Sequence, residues 1–186
     1  FVSQFKNMAA QSIETMDNAI RIFMQITLLD VEQLLSEGLA VGIFDYASST
    51  PPIKMRNYVY HIAQNIFTIN TTLTKYRSFL TQRILLRLVE ALFTNFYLEI
   101  QPIRAGLGEE LNTLGYLQLK LELLFFQEIF KHWINETSVE FIQKIMAFIA
   151  PPEQNGQQDT YVEHLARILA DALGNCNIMF HYNIAQ

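Results

Sequence analysis

Apolar residues recur at spacings of three and four along most of this chain, and that periodicity restricts its fold more than any other feature. Residues so spaced lie on one side of an α-helix and give it a face to bury. The first row is Phe5, Met8, Ser12, Met16, Ile20, Phe23 and Thr27, widened by Ala9, Ile13, Ala19 and Met24. It predicts one long helix from about Ser3 to Leu35, ending near Gly38. A loop with Gly42, Ser48, Ser49 and Thr50 follows, anchored by Phe44 and Tyr46. Pro52 then has the place of a first-turn proline for a second helix from Ile53 to about Tyr76, whose inward row is Met55, Val59, Ile62, Ile66, Ile69 and Leu73.

The next run, Phe79 to Ile100, is apolar over more than half its circumference through Leu80, Ile84, Leu85, Leu88, Leu92, Phe93 and Phe96, and predicts a central third helix. Pro102, Gly106 and Gly108 should break it. A fourth helix is expected to resume between Glu109 and Gly115 and to run to about Asn135. It has two apolar sides, Leu117, Leu121, Leu124 and Phe125 on one and Leu119, Phe126, Phe130 and Trp133 on the other, hence two packing partners. Thr137 with Glu140 has the form of a capping box for a short fifth helix through Ile149, stopped by Pro151 and Pro152. Thr160 with Glu163 repeats that form ahead of a sixth helix, which Gly174 and Asn175 should close. The expected architecture is all-α: an elongated bundle of about six antiparallel helices, possible sub-bundles being 1–101 and 102–186.

With 51% hydrophobic and 17% charged residues, the composition is that of a chain with a packed core, and seven Gly and five Pro leave few breakers. The single Cys176 cannot form an intramolecular disulfide and points to a reducing compartment. Two triplets, Asn70-Thr71-Thr72 and Asn135-Glu136-Thr137, fit the glycosylation pattern and read as incidental there. The oiliest run, Leu121 to Phe130, is broken by Glu122, Gln127 and Glu128, well short of a membrane span, so a soluble protein is expected. From Phe1 onward there is neither a basic start nor a cleavage site, and the chain reads as an excised domain.

Residues for catalysis are not assembled in the sequence. There is no phosphate-cradling glycine loop, since Gly106 and Gly108 lack both a third glycine and a preceding strand. His61, His132, His164 and His181 are too scattered to suggest a zinc site. Glu128 and His132, four apart, read as a surface contact rather than an acid–base pair. No catalytic, cofactor-binding or metal-binding residue is therefore assigned, and no enzyme is expected.

Charge is unevenly placed. Between Tyr46 and Val89 there is no Asp or Glu, while Lys54, Arg56, Lys75, Arg77, Arg83 and Arg87 all fall there, inside a chain of net charge −5. This basic zone is a candidate contact for an acidic partner or an anionic lipid surface; the alternative, and the preferred reading, is neutralisation by the acidic flanks. Nucleic acid is disfavoured by a pI near 5.3 and the lack of a motif. The fourteen Phe and eight Tyr read chiefly as core. The third and fourth helices nevertheless look too apolar to be fully buried, which leaves room for a patch that meets another subunit.

The run Glu37-Gly-Leu-Ala-Val-Gly-Ile-Phe-Asp-Tyr46, the pair Pro51-Pro52 and the helix opening Arg56-Asn57-Tyr58-Val59 resemble the C-terminal region of exocyst complex component two, the fifth Sec subunit of the exocyst, of the CATCHR-type tethering family. Gly115, Leu117, Gln118, Leu121 and Glu122 are similar to a further helix opening of that family. The likeness spans roughly Met8 to Ile149, departing in the loop Pro102 to Leu114 and in the last helix. It implies stacked helical bundles, no catalysis, and membership of the eight-subunit complex that tethers secretory vesicles to the plasma membrane. It also implies a cytoplasmic location, peripheral at sites of exocytosis, with other exocyst subunits as partners. Small GTPases would act through an immunoglobulin-like domain and subunit pairing through coiled coils, elements not present here. Gly42, Asp45, Pro51, Pro52, Arg56 and Tyr58 match at the turn between helices, where their expected role is structural. A Golgi-associated tethering subunit is the nearest rival within the class, and a helical regulator of small GTPases the rival outside it.

Overall fold

Where an apolar row continues past a proline or glycine, burial beyond the breaker outweighs the breaker's local cost. The computed structural model describes residues 2–41, 50–75, 78–107, 113–149 and 158–184. Among these, regular structure is entirely helical: α1 (Val2–Val41), α2 (Asn57–Thr74), α3 (Ser78–Leu107), α4 (Thr113–Ile129), a 3₁₀ turn (Lys131–Trp133), α5 (Glu136–Phe148) and α6 (Gln158–Ile184). The all-α bundle expected from the sequence is thus observed.

Several boundaries differ from expectation. α1 does not stop near Gly38, because Leu35 and Leu39 on either side of it are both buried. α3 runs through Pro102, which the sequence marked as a break. Ile100 and Ile103 are buried around it, while Pro102 itself faces solvent, where water can satisfy the carbonyl that loses its amide partner. α6 passes Gly174 because Cys176, just beyond, is fully buried. α2 opens at Asn57 instead of Ile53: Arg56 is its extended N-cap residue, with φ −77° and ψ 148°, and Pro52 lies outside the helix. α4 ends at Ile129, after which Trp133 N–H donates to the Phe130 carbonyl at 2.8 Å and tightens the chain into the 3₁₀ turn.

The expected capping box of Thr137 and Glu140 is replaced by Asn135, whose Oδ1 accepts from Ser138 N–H at 2.8 Å and from Ser138 Oγ at 2.9 Å. Its Nδ2 donates to Glu90 Oε2 at 2.8 Å, tying the start of α5 to α3. Both faces of the Asn135 amide thus have internal partners, which agrees with an incidental triplet. Thr160 lies inside α6, which begins at Gln158.

α2 is the hub, packing against α1, α3, α4 and α6; α3 also packs on α1 and α5, and α4 on α6. One apolar cluster joins them, with Val31, Leu35, Leu39, Ile62, Ile66, Leu88, Phe93, Phe96, Phe126 and Phe130 buried. It extends across the 101/102 boundary, for Phe96 meets Phe126 edge-on and Phe67 stacks on Phe130, with ring centroids 6.1 and 6.2 Å apart. Among the described aromatics, Phe93, Phe96, Phe125, Phe126, Phe130, Tyr58 and Tyr116 are buried in the core, while Phe23 is exposed. α4 does pack on two helices, α2 and α6, and through Phe126 it also touches Phe96 of α3. The exposed large apolar side chains among the described residues concentrate in α1, at Met8, Ile22, Phe23, Ile26 and Leu29, while α3, with three helical neighbours, exposes Leu98. Of the α1 row, Thr27 is buried while Met8, Ser12 and Phe23 are exposed; Phe5, Ala9, Ile13, Met16 and Ile20 are outside the described side chains.

Gly174 is exposed in mid-helix, and a Cβ there would meet nothing within 4 Å. Gly174→Ala is therefore expected to raise stability by about 0.5–1 kcal/mol, read as a higher urea midpoint at unchanged slope.

Candidate interaction surface

Glu122 sits between Leu121 and Leu123 on α4 and is wholly buried, so its carboxylate requires compensation from within the fold. Four donors supply it. Arg56 pairs with it through Nε to Oε1, and through Nη2 to Oε2 at 2.7 Å. Tyr58 Oη donates to Oε2 at 2.8 Å, and Gln118 Nε2 to Oε1 at 2.7 Å. Arg56 Nη1 also donates to the Gly38 carbonyl at 3.3 Å. The guanidinium carbon stands 5.0 Å from the Tyr58 ring centroid, and the ring presses on α1 at Gly38, where a Cβ would lie 2.2 Å from Tyr58 Cγ. One ion pair thus binds α1, α2 and α4.

Burial alone would pull the Arg56 guanidinium down, but the Glu122 carboxylate more than offsets this and leaves it above its ordinary value. Burial, followed by the Glu122 charge, holds the Tyr58 phenol well above its usual range. Burial also pushes the Cys176 thiol up to about 11. The arrangement is a closed structural junction, with no open position for a reacting atom.

The six cations singled out in the sequence do not share one surface. Lys54 and Lys75 are exposed just outside opposite ends of α2, about 27 Å long at 1.5 Å per residue. Arg56 is drawn inside, its side chain only 13% exposed, and is corrected from a contact residue to a member of the junction. Its charge is paired with that of Glu122. Arg77 lies outside the described residues. Arg83 and Arg87 are exposed one turn apart on α3, on the wall of a groove of about 840 Å³ between α1 and α3.

Of the turn residues, Gly42 and Asp45 lie outside the described residues. Pro51 is half-buried; Pro52 is buried, and its carbonyl is 2.8 Å from His164 Nε2 of α6. Arg56 and Tyr58 belong to the junction. Glu128 pairs with Lys131 at 2.6 Å on the surface. Among the described residues no three His, Cys, Asp or Glu side chains gather as metal ligands, and no helix is long and apolar enough to cross a membrane.

Sequence reasoning missed Glu122 as a structural charge and Gly38 as the seat of an aromatic ring. A lone carboxylate inside an apolar run was the available signal for the first; nothing local marked the second. Yet Gly38, Arg56, Tyr58, Gln118 and Glu122 all belong to segments that carried the family likeness, and they meet in space here.

A family model described as exocyst complex component Sec5 matches residues 9–181. The chain belongs to the Sec5 exocyst component family. The match includes all of α2 to α5 and the junction that joins α1, α2 and α4. Comparison with curated proteins and with solved structures gives no significant match. The Sec5 family is one of non-catalytic components of a tethering complex, so the exocyst subunit expected from the sequence is supported at the level of membership.

In this Sec5-type chain, Glu122→Gln is expected to cost about 3–5 kcal/mol, because it leaves the Arg56 charge buried without its counter-ion. Arg56→Met combined with Glu122→Met should cost less than the two single changes summed, as measured by urea unfolding in a double-mutant cycle. The Cys176 thiol, buried and with its pKa raised to about 11, should react with a thiol reagent at pH 8 about a hundredfold more slowly than in the urea-unfolded chain.

Proposed function

We propose that residues 1–186 form the C-terminal helical-bundle domain of a larger exocyst subunit, a non-catalytic scaffold that holds neighbouring subunits while secretory vesicles are tethered to the plasma membrane. The observation that carries this reading is the Sec5 family match over residues 9–181. Two structural facts support it. The most deeply buried charge, Glu122, is fully engaged in holding helices together. The exposed features are those of a contact surface: an apolar stretch of α1, and Lys54, Lys75, Arg83 and Arg87 as the exposed remainder of the basic zone.

Other exocyst subunits are the proposed partners, and the proposed location is the cytoplasm, peripheral at sites of exocytosis. Small GTPases would act through parts of the parent subunit outside this chain. The turn residues Gly42, Asp45, Pro51, Pro52 and Tyr58 are assigned a structural role, as is Arg56. No small-molecule substrate, cofactor or nucleic acid enters the proposal.

Tagged chain expressed in cells is expected to co-purify other exocyst subunits, identified by mass spectrometry. A variant carrying Lys54→Glu, Arg83→Glu and Arg87→Glu should recover several-fold less of them while keeping its helical circular dichroism. Absence of every exocyst subunit from the wild-type eluate, or stimulation of nucleotide exchange or hydrolysis on a small GTPase, would overturn the scaffold reading.

A further inference from the structure

The groove between α1 and α3 combines an apolar floor with a cationic rim. Met24 and Leu28 of α1 and Ile84 and Ala91 of α3 form its apolar lining. Arg21, Arg83 and Arg87 stand among its walls, against two carboxylates, Glu32 and Glu90. Each carboxylate already accepts an amide hydrogen bond: Glu32 Oε1 from Asn95 Nδ2 at 2.8 Å, and Glu90 Oε2 from Asn135 Nδ2 at 2.8 Å. Glu32 bonds Asn95 at one end of the groove, and the lining stretches 21–32 and 83–95 run side by side in the same direction, so the end carrying Arg21, Arg83 and Arg87 is richer in positive charge.

We propose that this groove seats an acidic amphipathic helix of another protein. The lining stretch of α1, Arg21 to Glu32, rises about 17 Å, enough for three turns of an incoming helix. Leu or Ile on that helix at i and i+4 would cover Met24 and Leu28, and flanking Glu or Asp would meet Arg21, Arg83 and Arg87. The concavity favours a helix over a lipid surface, because a bilayer presents its phosphates in a plane, whereas these arginines line a groove and the exposed lysines, Lys54 and Lys75, lie outside opposite ends of another helix. The proposal deepens the scaffold reading by naming the kind of partner element that one surface takes.

The test uses the 186-residue chain and three fluorescein-labelled peptides of one length. The first is a designed helix with Leu at i and i+4 flanked by Glu; the second carries Lys for every Glu; the third is a scramble of the first. By fluorescence anisotropy the Glu peptide should bind at least tenfold more tightly than either control, and more weakly as salt is raised. Arg83→Glu with Arg87→Glu should weaken it at least tenfold and transfer the preference to the Lys peptide, with circular dichroism unchanged. Equal binding of the Glu peptide and its scramble, or indifference of its affinity to the double charge reversal, would overturn the proposal. So would co-sedimentation with phosphatidylserine-containing vesicles, or self-association lost in the same variant, by a chain that ignores the Glu peptide. Peptide binding that persists while no exocyst subunit co-purifies would overturn the scaffold reading and leave the groove assignment standing.

Discussion

A carboxylate placed in the middle of an oily helix has to be neutralised internally, and in this fold the requirement of Glu122 organises the rest. Its oxygens accept from Arg56, Tyr58 and Gln118. Because Arg56 also reaches the Gly38 carbonyl, and the Tyr58 ring occupies the space a side chain at Gly38 would need, the same group fixes how α1 lies against α2 and α4. Apolar contacts alone are indifferent to small shifts of one helix along another. A bidentate ion pair with a defined set of donors is not, and it selects one register among many that would bury similar area.

Around that junction the apolar surface is distributed unequally. α2 and α3 each pack against at least three other helices, while the first two dozen residues of α1 carry exposed Met8, Ile22 and Phe23, with Ile26 and Leu29 following. Beyond Thr27, Val31, Leu35 and Leu39 of α1 enter the core. Such an arrangement suits a subunit of a larger assembly, whose helices must serve both an internal core and an external contact. The charged residues divide likewise: Arg56 and Glu122 hold the fold together, whereas Arg83 and Arg87 remain on its outside.

Much of this was legible in the residues. Periodicity gave the helices, the buried rows of α2, α3 and α4, and the two partners of α4. Element ends were less legible, because a proline or glycine acts through local energies of about 1–3 kcal/mol, which burial of one or two side chains beyond it can match. Pro102, Gly38 and Gly174 all lie inside helices for that reason, with Ile103, Leu39 and Cys176 as the buried residues past them. Asn135 displaced Thr137 as a cap because its amide could serve the helix end and Glu90 together.

What the sequence determined by itself was the kind of object: an all-helical chain with a large aromatic core, a basic middle and motifs shared with the Sec5 family. These follow from spacing and residue type, which act locally. Only the tertiary structure decided which charges are internal and which are surface, since Arg56 and Arg83 look alike in a list of cations. Their difference arises because residue 56 is carried to within reach of residue 122, a meeting across 66 positions that no local pattern encodes.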